Sequence, residues 1–223
     1  MERRAEHDLA LLNSGLVCMA ERVCVAVQQA VESLVQRDLE TAENVLRQDH
    51  RINSLDIEID EQCLRMLALY QPEACDLRFV ATAMAINNNL ERIADQAVNI
   101  AERSIELLKE PPLKPLVDIP HLSRLSQEML KQSVDSFVRQ DADLARAVCV
   151  RDDQVDALNE QVFRELLTYM LESPQAITRA VNLILVGRHL ERVADHATNI
   201  AEAVIYRVEG KYTKHRIGQL ESV

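Results

Sequence analysis

Between Leu9 and Arg37 apolar side chains return every three or four residues (Leu9, Leu12, Leu16, Met19, Val23, Val27, Ala30, Val31, Leu34), and only Gly15 weakens the pattern. That spacing predicts an amphipathic helix with one buried stripe. Asp38 is placed to cap a second helix from about Leu39 to Tyr70. Within it Val45, Ile52, Ile59 and Met66 fall seven apart, a seam of the coiled-coil kind. Pro72 stops that helix and suits the first turn of a third, from about Pro72 to Lys109. At 1.5 Å rise per residue, helices of this length run roughly 45–55 Å. The stretch EPPLKPLVDIP, residues 110–120, carries four prolines in eleven positions, so it is expected to break the helical pattern and act as a linker.

Beyond the linker the pattern begins again. VESLVQRDLETA at 31–42 aligns with VDSFVRQDADLA at 134–145, an offset of 103 that also pairs Asp38 with Asp141, Val45 with Val148, Asp49 with Asp152 and Ile52 with Val155. Pro72 meets Pro174 at 102, and LERIADQAVNIAE at 90–102 meets LERVADHATNIAE at 190–202 at 100. Near-copies at a fixed spacing mark an internal duplication. The expected fold is all-α: two tandem three-helix bundles, six long antiparallel helices in all, related by internal pseudo-symmetry. The first covers residues 1–110 and the second 121–209, joined by 111–120, with 210–223 as a tail that loses periodicity after Val208.

Composition narrows the class. Gly 4, Pro 6, Trp 0 and 3% aromatics leave too few turn residues for a β-sandwich or barrel. A net charge of -11 repels phosphodiester backbones, which argues against nucleic-acid binding. Cys18, Cys24, Cys63, Cys75 and Cys149 form no Cys-x-x-Cys pair and read as small apolar residues in a reducing compartment. The N-terminal stretch lacks the uninterrupted apolar core of a signal peptide, and no unbroken run reaches the eighteen apolar residues of a spanning helix. A soluble, cytoplasmic chain without direct membrane insertion is expected.

The duplicated block carries Glu-x-x-x-Asp twice, as Glu91/Asp95 and Glu191/Asp195. Residues four apart on a helix are neighbours, and two like charges there cost a few tenths of a kcal/mol unless a cation intervenes. Oxygen donors of this kind suit a hard or borderline metal ion. The second helix has its own polar line, Asp49, Asn53, Asp56 and Asp60, answered by Asp152, Asp156, Asn159 and Glu160. Asp49 and Asp56 border the apolar seam, so two neighbouring helices could aim several carboxylates at one place. The opposing reading, a solvated acidic face, is kept for Asp56, Asp60, Glu106 and Glu160. Arg92 and Arg192 could neutralise the pairs, although adjacent residues on a helix do not face each other. His196 stands where the first copy has Gln96, which favours a surface or hydrogen-bonding role over a ligand role. His7, His50, His121, His189 and His215 have no partner at ligand spacing.

The blocks ERIADQAVNIAE and ERVADHATNIAE, with PEACDLRFVATAM upstream, resemble the PhoU family of phosphate-signalling proteins, and the likeness runs from about residue 9 to 208. The resemblance implies two three-helix bundles that bind metal, iron or zinc in clusters, through acidic motifs. It implies a negative regulator of the phosphate-starvation response that modulates the high-affinity phosphate ABC transporter by contacting its ATPase and the phosphate-sensing histidine kinase. The family's metal motifs fall on Glu91 and Asp95, on Glu191 and Asp195, on Asp152 and Asp156, and on Asp49 and Asn53, where an amide replaces one carboxylate. Ala94 and Ala194 replace the block's familiar glycine, and only Asp76-Leu77-Arg78 keeps the Asp-Leu-Arg that follows the proline.

Three functions compete. A regulatory adaptor, expected as a homodimer, fits long helices with broad faces. A di-iron carboxylate enzyme would use Glu-x-x-His on two helices, and no glutamate here has a histidine three residues on. A ligand-free helical scaffold explains the duplication but not the matched acid pairs. No Gly-rich phosphate loop or Gly-x-Ser-x-Gly occurs, so no catalytic residue is expected.

Overall fold

The computed structural model describes residues 2–210, and the side chains of residues 2–6 and of Cys75 lie outside it. Six helices follow in order: α1 Glu2–Gln36, α2 Leu39–Tyr70, α3 Ala74–Leu108, α4 Asp118–Arg139, α5 Ala142–Glu172 and α6 Ile177–Glu209. The only other regular piece among the described residues is a single 3-10 turn, Pro174–Ala176. The all-α, six-helix, twice-repeated architecture is the one the periodicity predicts. The tail expected at 210–223 and His215 fall outside the described residues, apart from Gly210, which closes α6 in the left-handed conformation at φ 68°.

Helix boundaries have local causes. Asp38 accepts hydrogen bonds from the backbone N–H groups of Glu40 and Thr41, and Asp141 does the same for Asp143 and Leu144. Each thereby satisfies donors that a helix start leaves open. The residues just before these caps, Arg37 and Gln140, both turn through positive φ. α1 begins earlier than the apolar stripe suggested, because residues 2–8 extend the helix without an apolar face to reveal it. α3 begins at Ala74 and not Pro72, since Glu73 is still extended (φ -94°, ψ 150°). α4 reaches back to Asp118 and so holds Pro120 in its first turn, where a missing N–H costs nothing.

The tandem bundles do not stand apart. α1, α3, α6 and α4 pack in a closed ring of four, while α2 lies against α1 and α3 and α5 against α4 and α6. One continuous apolar core results, running from Leu12, Leu16 and Met19 of α1 to Leu190, Ile200 and Val204 of α6. α1 is long and apolar enough over His7–Gln36 to cross a membrane by length and composition, which a search for an unbroken apolar run misses. Its apolar stripe is instead spent on the core, with Leu12, Leu16, Met19, Val23 and Val27 fully buried. Across the repeats Phe79 of α3 stacks on Phe137 of α4 with centroids 5.6 Å apart. The Arg207 guanidinium of α6 lies 4.5 and 4.7 Å from the two ring centres. The proline-rich linker is tied down as well: Lys114, buried, reaches Asp118 at 3.2 Å and also pairs with Glu165 of α5.

Candidate functional site

The seams that pack α5 and α6 also aim their acids. Val148, Val155 and Val162 of α5 are buried at seven-residue spacing, so Asp152 and Asp156 ride beside the seam, toward α6. On α6 the buried Leu190, Val193, Ala194 and Ala197 leave Glu191 and Asp195 on the flank. Asp152, Asp156 and Asp195 come within electrostatic reach. Burial, and then the charges of Asp195 and Asp156, push the Asp152 carboxyl up to about 6. Burial and Asp156 likewise raise Asp195, against the pull of Arg188 and Arg192. Asp152 Oδ1 and Thr198 Oγ1 are buried without hydrogen-bond partners, although the Thr198 hydroxyl lies near enough to favour the carboxylate form of Asp152. An open cleft is lined by Asp152, Asp195, Glu202, Arg192 and His196.

Glu191 goes elsewhere. Arg188 Nη1 donates to both of its oxygens at 2.8 and 2.7 Å, and Asn159 Nδ2 donates from α5 at 2.9 Å. Gly187 makes the Asn159 approach possible: a Cβ there would stand 2.6 Å from Asn159 Oδ1.

In the first repeat, Glu91 is raised by burial and by Asp95, with Arg92 opposing and Asp56 and Asp49 adding to the rise. Arg92 stands 3.5 Å from Glu91 and 3.8 Å from Asp95, so the cation in the motif does neutralise its neighbours despite its position one residue on. Asn53 Nδ2 donates to Asp49 Oδ2 at 2.8 Å. Asp56 and Asp60, expected to be solvated, share the amide of Asn87, which donates to their Oδ1 atoms at 2.7 and 3.1 Å. That amide is missed by a reading that looks only for acids. The repeats have traded places here, with Asp56 facing Asn87 in one and Asn159 facing Gly187 in the other. Glu160 and Glu106 pair with Arg164 and Lys109.

Among the described residues no three carboxylate, imidazole or thiolate groups are gathered tightly enough to hold an ion. The donor chemistry of the second repeat nevertheless fits a cation, since burial and neighbouring carboxylates raise Asp152 and Asp195 on two helices and one buried oxygen lacks a partner. A metal there would have to draw these side chains together.

Two histidines missing from any ligand pattern cross the boundary between repeats. His189 Nδ1 lies 2.9 Å from Gln96 Oε1, and His196 Nδ1 lies 2.9 Å from Asn89 Oδ1. Moving either pair by one hundred residues turns it into the other. Burial first, then Arg192 and Arg103, drives His189 down to about 4. Burial, Arg92 and Arg192 lower His196, with Asp95 pulling the other way. Both rings are neutral at pH 7 and donate from Nδ1. Three thiols are quiet as well: burial pushes Cys24 up to about 11 and Cys63 and Cys149 up to about 12.

Comparison with known proteins places the fold. The PhoU domain matches twice, over residues 16–104 and 119–204. The phosphate-specific transport system accessory protein PhoU homolog of Aquifex aeolicus is 49% identical over 209 residues, 94% of this chain and 95% of its own length. The homolog from Pseudomonas aeruginosa is 41% identical, over 93% of this chain and 86% of that protein. A crystal structure of PhoU from Pseudomonas aeruginosa superposes with a TM-score of 0.89 at 40% identity, covering 92% of this chain and 99% of that one. A phosphate transport system regulatory protein PhoU from Streptococcus pneumoniae gives 0.86 at 27% identity, covering 93% and 98%. These are accessory and regulatory proteins and not enzymes. With both halves matched and near-complete coverage on either side, the chain belongs to the PhoU family.

Proposed function

We propose that this chain is a regulatory accessory protein of phosphate-specific transport: a cytoplasmic, metal-binding, homodimeric adaptor. In this reading it restrains the phosphate-starvation response and tunes high-affinity phosphate uptake through the transporter's ATPase and the phosphate-sensing histidine kinase. The observation that carries the reading is the 49% identity to an accessory protein of that system, sustained over 94% of the chain. An adaptor also needs a surface to offer. Phe163, Leu167 and Leu171 recur every four residues along α5, as do Ile177, Val181 and Leu185 along α6, and all six are exposed, Leu171 by 87%. Apolar residues grouped in this way on a surface favour contact with another protein. Expressed in a bacterium lacking its own family member, the chain should restore silence of a phosphate-starvation reporter in phosphate-rich medium. It should also retain the transporter ATPase on a column. A reporter that stays on, with no ATPase retained, would overturn the reading.

Asp152, Asp156 and Asp195 are the residues proposed to hold iron or zinc in the second repeat, with Glu191 joining them once Arg188 lets go. Glu91, Asp95 and Asp49, with the amide of Asn53, form the weaker counterpart in the first. A bound cation would supply the positive charge these carboxylates lack and tie α5 to α6. A ligand held only by the folded state at a hundredfold excess over Kd stabilises it by about 2.7 kcal/mol, which for a chain of this size is about 5–10 °C in Tm. Chelation should lower Tm by that order in the native protein and by less in Asp152→Asn/Asp195→Asn, which keeps only the weaker counterpart in the first repeat. Equal responses in the two proteins would remove the metal from the proposal.

A further inference from the structure

The repeats differ in one cleft. Between α1 and α2 of the first repeat lies a cavity of about 210 Å³, floored by Ala26, Val45, Ile52, Ala94 and Val98. Its counterpart between α4 and α5 is filled and barred. At the offset of 103, Ala26 corresponds to Met129, which is only 1% exposed and occupies the interior there. Val25 and Gln48 correspond to Glu128 and Arg151, whose ion pair at 3.6 Å spans α4 and α5 across the mouth. The other buried positions of α1, from Leu16 to Leu34, have buried counterparts in α4, so the two helices share one buried stripe and differ at Ala26 and Met129. The first repeat has neither the plug nor the bar.

The mouth of the open cleft carries Arg22 from α1 and Arg51 from α2, both exposed. Among the described residues neither guanidinium makes an ion pair or hydrogen bond; the same rim carries the carboxylates of Glu21 and of Asp49, the latter accepting from Asn53, so the two arginines are the groups open to an incoming anion. We infer that this cleft is a binding site for a small organic anion with an apolar body, the body lying on the Ala26–Val98 floor and the anionic head between Arg22 and Arg51. A dry apolar cavity of about 150 Å³ accepts a benzene ring, so the available space suits a ring or short branched chain bearing one carboxylate. Guanidinium groups grip such a head with charge-assisted hydrogen bonds. This site is independent of the metal reading, and a chelator in the buffer keeps any ion at Asp49 out of the measurement.

The test uses the full chain and three probes, sodium benzoate, benzylamine and benzyl alcohol, followed by methyl NMR. Benzoate at millimolar concentration should shift Val25, Ala26, Val45, Ile52 and Val98 and bind more tightly than benzylamine. Arg22→Gln/Arg51→Gln should weaken benzoate by about tenfold or more, the worth of a charge-assisted contact, and leave benzyl alcohol unchanged. Val25→Glu/Gln48→Arg rebuilds the bar at exposed positions, and Ala26→Met restores the plug; each should abolish the shifts. Because the first of these leaves the core untouched, its result stands even if Ala26→Met fails to fold. Absence of shifts at these methyls, shifts that survive the rebuilt bar, or benzylamine binding as well as benzoate would each overturn the inference.

Discussion

His189 and His196 show how much a single side chain can decide. Each imidazole donates to an amide oxygen of the other repeat and is held neutral by burial, with Arg192 and Arg103 facing the first and Arg92, Arg192 and Asp95 facing the second. A base whose folded pKa lies below its unfolded value of about 6.5 favours the folded state fully above that value and loses this as pH falls toward the folded pKa. For His189 the window is therefore from about 6.5 down to about 4. The repeats supply their own control residues, Asn89 for His189 and Gln96 for His196. We expect His189→Asn/His196→Gln to lose less Tm than the native chain between pH 7 and pH 5. Asp152 titrates in the opposite sense, its contribution being fully present below 3.8 and lost as pH rises through about 6, and it is common to both proteins. At this scale the sequence is legible only in part. The pairing of acids four apart can be read along one helix, but the capture of Glu191 by Arg188 is a choice of rotamer. The His–amide contacts depend on how α3 meets α6, which no local spacing records.

Elements were easier to foresee than contacts. Seven-residue seams and caps at matched positions locate α2 and α5 because both signals are local, as Asp38 and Asp141 illustrate. Proline misled twice, since it forbids a helix interior without fixing on which side of the boundary it falls: Pro120 lies inside the first turn of α4, while Pro72 precedes α3. What holds the elements together is less visible beforehand. Phe137 is fully buried, stacks on Phe79, lies under Arg207 and accepts a hydrogen bond from Arg207 Nη1 at its carbonyl, 3.1 Å away. Phe137→Ala should cost about 3–5 kcal/mol, read as a fall in the urea midpoint with unchanged slope. A loss below about 1 kcal/mol would mean that the junction of α3, α4 and α6 is not a keystone of the core. Phe137→Leu, which restores the residue found at the matching position 34, should recover most of the stability.

At the level of the whole molecule the duplication is plain in the sequence, but the union of its halves is not. Two separate bundles would melt separately; a ring of α1, α3, α6 and α4 around one core should give a single cooperative transition, which calorimetry would show as equal calorimetric and van't Hoff enthalpies. A polypeptide holding only one repeat would present the faces of α1 and α3 to solvent, and the nearest complementary surface would be that of another identical molecule. Residues 1–109 made alone should accordingly associate in pairs at high concentration and come apart, unfolding, on dilution, as sedimentation would reveal. Joining two such units end to end converts an encounter between molecules into one within a chain, so that the union of the two halves does not depend on how many copies the cell contains.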